Sequence, residues 1–269
     1  MRHAFLSSIL SALLASVLLT GCGGDGAEFP EPRTDGPQAT PGADPTDSAA
    51  SQGEPRQGSV GSVEEGPVQK LRLVVLGTSL TAGLGLSDPQ RQSWARLLGD
   101  RSREAGYAVE LVNAGVSGDT SAGGLRRLRW LLQDRVDVLV VELGANDGLR
   151  GLSLQDLESN LREIIDRTRE AWPEARIILA GMEAPPNMGS EYVADFRELF
   201  VDVARDEAVA RIPFLLEGVA GVPSLNQPDG IHPTPMGHER MAETAWPTVE
   251  QALREVSAAR EPTSGAGSR

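Results

Sequence analysis

Val136-Asp137-Val138-Leu139-Val140-Val141-Glu142-Leu143, stopped by Gly144-Ala145-Asn146-Asp147-Gly148, is the stretch whose reading decides the fold. It is a short, β-branched, nearly continuous apolar run that ends in a glycine-rich turn, which predicts a strand buried on both faces. Strands of that kind belong to parallel sheets, because helical crossovers cover both sides. The sequence on either side repeats the pattern. Upstream lie Leu71–Leu76 ending at Gly77, a helix over 91–105, the strand Ala108–Asn113, and a helix over Ser121–Arg135 with Thr120 or Ser121 as N-cap. Downstream, residues 154, 157, 161, 164 and 165 are apolar at helical spacing within Ser153–Ala171, and Trp172-Pro173 closes that helix. Then come the strand Ala175–Ala180, the helix Glu191–Ala208, the strand Ala210–Phe214 and a terminal helix Pro235–Val256, with a bend expected at Pro247. Strand and helix alternate, so residues 70–256 are predicted to form a three-layer α/β/α sandwich around a five-stranded parallel sheet.

The rest of the 269 residues has another character. Residues 1–21 carry Arg2 and an apolar run from Ala4 to Leu19, the length of a signal-peptide core and short for a membrane span. Leu19-Thr20-Gly21-Cys22 resembles the bacterial lipobox, which implies cleavage before Cys22 and lipidation of its sulfur. Residues 22–69 are rich in Gly, Pro, Ser and Asp, with nine acidic residues against Arg33 and Arg56, and read as a disordered acidic tether. Residues 257–269 read as a disordered tail. The expectation is a protein secreted across the inner membrane and held at the membrane through Cys22. With Gly23 after the cysteine, the lipoprotein pattern leans to the outer membrane, facing the periplasm. Cys22 is the single cysteine, which excludes an internal disulfide and a cysteine-based metal site. A net charge of −13 argues against nucleic acid as a partner.

Open parallel sheets bind ligands beyond the carboxyl ends of their strands. The turns after the predicted strands are therefore informative: Gly77-Thr78-Ser79-Leu80-Thr81, then Asn113-Ala114-Gly115-Val116-Ser117-Gly118-Asp119, then Gly144-Ala145-Asn146-Asp147-Gly148. Asp229-Gly230-Ile231-His232-Pro233 precedes the last helix. Alone, each reads as an ordinary turn. A phosphate loop is disfavoured because the P-loop pattern is absent, and an α/β-hydrolase elbow because Thr81 stands where that motif needs glycine. Together the four turns supply a hydroxyl, amide donors and an Asp/His pair, the inventory for acyl transfer. Beyond residue 21 the only histidines are His232 and His238. Asp229 lies three residues before His232, a spacing that lets a carboxylate orient an imidazole, whereas His238 has no acid so placed and is taken as a surface residue. Asp119 and Asp147 are read as structural acceptors of loop amides; Glu142 and Arg150 receive no role. Substrate choice is expected in the loops Met182–Ser190 and Gly221–Pro228.

These four blocks, G-T-S-L, N-A-G-V-S-G-D-T, G-A-N-D and D-G-I-H-P, resemble those of the SGNH (GDSL-like) hydrolase superfamily, in order and each at a strand end. The run Val141–Gly151 is similar to its bacterial thioesterase/arylesterase/lysophospholipase branch. The resemblance implies a flavodoxin-like fold with strand order 2-1-3-4-5. It implies Ser79 as nucleophile, Asp229 and His232 as its partners, and an oxyanion hole made by Ser79, Gly115 and Asn146. No metal or organic cofactor is implied, and the substrates would be small-molecule esters, thioesters or lysolipids. Thr78 departs from the pattern, which usually has Asp there. The alternatives left open are a carbohydrate O-acetyl esterase and a non-catalytic binding lipoprotein on the same fold.

Overall fold

A computed structural model describes residues 70–260. The signal segment, Cys22, the tether and the chain beyond Arg260 lie outside the described residues. Five strands, β1 (Leu71–Gly77), β2 (Val109–Gly115), β3 (Val138–Glu142), β4 (Arg176–Ala180) and β5 (Ala210–Ile212), form one sheet. Their order is β2-β1-β3-β4-β5 and every pair is parallel. All five residues of β3 are buried, as its apolar run requires, whereas the edge strands β2 and β5 keep exposed positions. In register, Gly77 lies opposite Gly115 on one side and Glu142 on the other, so the carboxyl ends of β1, β2 and β3 finish level. Strand β5 is shorter than predicted: Pro213 follows it and has no N–H to extend the ladder.

The helices are α1 (Ser79–Ala82), α2 (Pro89–Gln92), α3 (Trp94–Glu104), α4 (Ser121–Leu131), α5 (Ala145–Leu149), α6 (Leu154–Ala171), α7 (Ser190–Asp206) and α8 (Pro235–Arg260). Helices α3 and α8 pack together on one face of the sheet; α4, α6 and α7 pack on the other. Trp94 and Leu98 on the first face and Leu128, Leu157, Leu161, Phe196 and Phe200 on the second are fully buried. Thr120 caps α4 and Ser153 caps α6 through their side-chain oxygens. The helix predicted over 91–105 is divided: Ser93 is extended, and the Trp94 N–H that follows donates to the His238 ring at 3.2 Å. Helix α8 runs through Pro247 and reaches Arg260, so Ser257–Arg260 belong to it rather than to a frayed tail. The Arg260 guanidinium reaches the buried Asp137 carboxylate and the Lys70 carbonyl, which ties the end of α8 to the start of β1.

Candidate active site

Strand β1 ends where Gly77 meets the next residue, and the chain turns at once into the single helical turn α1. A Cβ at Gly77 would lie 2.1 Å from the Thr81 hydroxyl and 2.5 Å from a Glu142 carboxylate oxygen, so only glycine fits. Ser79 opens α1 and is 9% exposed. Beneath it lies Glu142, with no exposed surface. One Glu142 oxygen accepts from the Thr78 N–H at 2.8 Å and the Thr81 hydroxyl at 2.8 Å; the other accepts from the Thr78 hydroxyl at 2.9 Å. Burial pushes the Glu142 carboxyl up from 4.5 to about 7, against the lowering effect of these hydrogen bonds. Arg127 on α4 donates to the Gly77 carbonyl at 2.8 Å, the Ala114 carbonyl at 2.7 Å and Asp119 at 2.7 Å, joining the ends of β1 and β2.

The turn before α8 brings His232 to the serine. Its Nε2 lies 3.0 Å from Ser79 Oγ, and its Nδ1 lies 2.7 Å from Asp229 Oδ2. A neutral imidazole satisfies both contacts with Nδ1–H donating to the carboxylate and Nε2 accepting from the hydroxyl. The other Asp229 oxygen accepts the backbone N–H groups of Ile231 at 2.9 Å and His232 at 3.0 Å. The His232 N–H, then its imidazole and the Ile231 N–H, hold the Asp229 carboxyl well below the usual carboxylate range. Gln227 fastens the turn: its amide donates to the carbonyls of Leu84 at 2.8 Å and Pro233 at 3.0 Å.

His238 is not a surface residue. It is 1% exposed, its Nδ1 accepts the Trp94 N–H, and burial first, then the proximity of His232, lower it to about 4. It is a core histidine whose acceptor completes the start of α3.

The amide donors need one correction. Gly115 does not offer its N–H to the serine: that N–H donates to Asn113 Oδ1 at 3.0 Å. A Cβ at Gly115 would stand 2.2 Å from the backbone nitrogen of Ala82, so this glycine serves the close packing of β2 against α1. Gly118, three residues on, instead lines the same cavity as Ser79, Asn146 and His232. Asn146 spends one amide hydrogen on the Asp119 carbonyl at 2.8 Å and keeps a second. Asp147 accepts from the N–H of Ser121 at 2.9 Å and its hydroxyl at 2.6 Å, a structural role as predicted. Asp119 holds Arg127 rather than a loop amide. Arg150 donates to the Gly118 carbonyl at 2.8 Å. Among the described residues no group of three or more His, Cys, Asp or Glu is placed to hold a metal ion.

A model of the GDSL-like lipase/acylhydrolase family matches residues 75–240, which hold Ser79, Asn146, Asp229 and His232. The chain belongs to the GDSL-like lipase/acylhydrolase family. It is an ester hydrolase. Esterase TesA of Pseudomonas aeruginosa is 43% identical over 182 residues, covering 67% of this chain and 89% of TesA. Thioesterase 1/protease 1/lysophospholipase L1 of Escherichia coli K12 is 39% identical over 162 residues, 60% of this chain and 74% of that one. The crystal structure of AlinE4, an SGNH-hydrolase family esterase, has a TM-score of 0.57 at 36% identity, covering 69% of this chain and 98% of that one.

In this GDSL-like chain the serine opens onto a cavity of about 750 Å³. Leu84, Leu149, Pro185, Phe214, Leu216 and Ile231 give it mostly apolar walls. Of the two loops predicted to choose substrate, Glu183–Pro186 and the residues Gly221 and Asn226 contribute to the lining. Leu84, Leu149 and the segment containing Phe214 and Leu216 went unpredicted, because apolar residues beyond strand ends look like any other core positions.

Proposed function

We propose that this chain cleaves carboxylic esters or thioesters of small acyl substrates through an acyl-enzyme on Ser79. The observation that carries the reading is the continuous contact Asp229–His232–Ser79, at 2.7 and 3.0 Å, at the mouth of an apolar cavity. His232 Nε2 takes the hydroxyl proton as Ser79 Oγ attacks the carbonyl carbon, and Asp229 stabilises the imidazolium that results. The oxyanion receives the free amide hydrogen of Asn146 and the backbone N–H groups of Ser79 and Gly118. Collapse of the intermediate expels the alcohol or thiol, which takes the proton from His232. Water then repeats the sequence on the acyl-enzyme and restores Ser79. The apolar walls suit an acyl chain, and the names of the relatives TesA and thioesterase 1/lysophospholipase L1 support that substrate class.

Hydrolysis of p-nitrophenyl esters of increasing acyl length, with Ser79→Ala as control, tests this. Turnover by the wild type and none by the variant is the expected result; equal rates from both would remove the reading. We propose further that Cys22 is lipidated and anchors the enzyme in the cell envelope after secretion, the sequence L-T-G-C being its support. Cys22→Ser should move the protein from the membrane to the soluble fraction, and unchanged fractionation would dismiss the anchor.

A further inference from the structure

We propose that Glu142 is a positioning residue for the nucleophile: its buried carboxylate clamps the Thr78–Thr81 turn and so fixes Ser79 against His232. The assignment rests on the reading of Ser79 as nucleophile. Its basis is that donors hydrogen-bonded to this carboxylate come from the two threonines of the serine's own turn. They include the N–H and hydroxyl of Thr78 and the hydroxyl of Thr81, at 2.8 to 2.9 Å. Glu142 is fully buried, at the end of a strand that otherwise has only apolar side chains. A carboxylate there is costly unless it is used, and an apolar residue of similar size would suit the strand better. Gly77 is kept free of a side chain by the same group, whose oxygen comes within 2.5 Å of where a Cβ would stand.

The chemistry fits an ionised acceptor. Three donors converge on two oxygens, and a carboxylate accepts them all. A protonated carboxyl, or an amide, brings hydrogens of its own, so that a threonine hydroxyl must turn from donor to acceptor and the present arrangement is lost. Carboxyl ionisation here is governed by burial against the two threonines. The charged or titratable groups on the surrounding elements are otherwise engaged. Arg127 and Asp119 bind each other, Asp147 binds Ser121, His232 binds Asp229 and Ser79, and His238 accepts from Trp94. Glu142 is therefore the group beneath the serine whose protonation loosens the turn, near neutral pH.

The test is steady-state kinetics of Glu142→Gln with a p-nitrophenyl ester across pH, beside Ser79→Ala. The expected result is a fall in kcat of about 10-fold or more with KM changed by less than about 2-fold, the signature of lost transition-state geometry. The acid limb of log kcat/KM should also change: protonation of Glu142 lowers the wild-type value near neutral pH, and that inflection should be missing from the variant. Wild-type kcat and an unchanged limb in Glu142→Gln would overturn the assignment while Ser79→Ala remained inactive; activity in Ser79→Ala would instead remove the nucleophile reading. If Glu142→Gln does not fold, Thr81→Val and Thr81→Ser decide the matter. Valine should lower kcat at constant KM and serine should restore most of it, and equal kcat in the two would contradict the clamp.

Discussion

The two turns that meet at the active site are held in opposite ways. The Ser79 turn is buried and fastened from below by side chains distant in sequence: Glu142 and Arg127 reach it from β3 and α4. The base turn is local and wet: Asp229, whose side chain is 46% exposed, binds two N–H groups and the imidazole within three residues of itself. Gln227 adds a tie to the nucleophile side, through the Leu84 carbonyl. The serine is thus placed by tertiary structure and the histidine by its own loop. On the proposed mechanism the fixed partner is the one whose misplacement by a fraction of an ångström costs most, because attack geometry is set at Oγ.

The sharpest way to break this contrast is to remove the local tie. Asp229→Asn leaves the turn its backbone bonds but loses the imidazolium's counter-charge. A drop in kcat/KM of about 10³- to 10⁴-fold on an ester substrate is expected. A change under about 10-fold would show that the loop orients His232 without its carboxylate. Next in size, Asn146→Ala removes one of the proposed donors to the oxyanion and should lower kcat by about 10²-fold with KM little altered, measured at saturating ester.

Stability separates the two turns by the sign of their response to pH. Burial raises the folded-state Glu142 carboxyl to about 7, above its value of 4.5 when exposed. A group so raised contributes stability that is fully present below the unfolded value and lost as pH rises through the folded one. The wild type should therefore lose about 3 kcal/mol relative to Glu142→Gln between pH 4.5 and 8 in urea titrations, since each pH unit separating the folded and unfolded values contributes about 1.4 kcal/mol. A pH-independent difference would contradict the burial. Asp229 acts oppositely: held low by its N–H donors, it contributes stability above the ordinary aspartate range that disappears only in strong acid. The ionised form of Glu142 that grips the serine turn is thus the form that weakens the fold, a cost of the kind active sites carry. The smallest effect concerns motion. Amide exchange should be slow at Thr78 and Leu80 and fast at Gly230 and Ile231, and equal protection would erase the contrast.

The same division separates the parts of the molecule legible in the sequence from those that were not. The central strands declared themselves, because β3 is apolar at nearly every position and a parallel strand buried on both faces must be. The local base turn was legible too, since Asp229 and His232 lie three residues apart and their contact needs no tertiary knowledge. The tertiary attachments were not. Glu142 received no role from the sequence, and only the pairing of β1 with β3, opposite Gly77, shows what it touches. Gly115 and Gly118 both stand in a glycine-bearing turn, and choosing between them requires knowing that Gly115 packs against Ala82 while Gly118 faces the cavity. His238 misled for the same reason: no neighbour in sequence reveals that Trp94 donates to it across 144 positions. A hydrogen bond between residues far apart leaves no spacing to read.

The most direct measurement of the central claim is labelling with a fluorophosphonate probe followed by peptide mass mapping, on the wild type, Ser79→Ala and His232→Ala. A reactive hydroxyl activated by the neighbouring imidazole predicts one adduct, on the peptide containing Ser79. It should be absent from Ser79→Ala and formed far more slowly in His232→Ala. An adduct on a different residue, or labelling of Ser79 at the same rate without His232, would contradict the account.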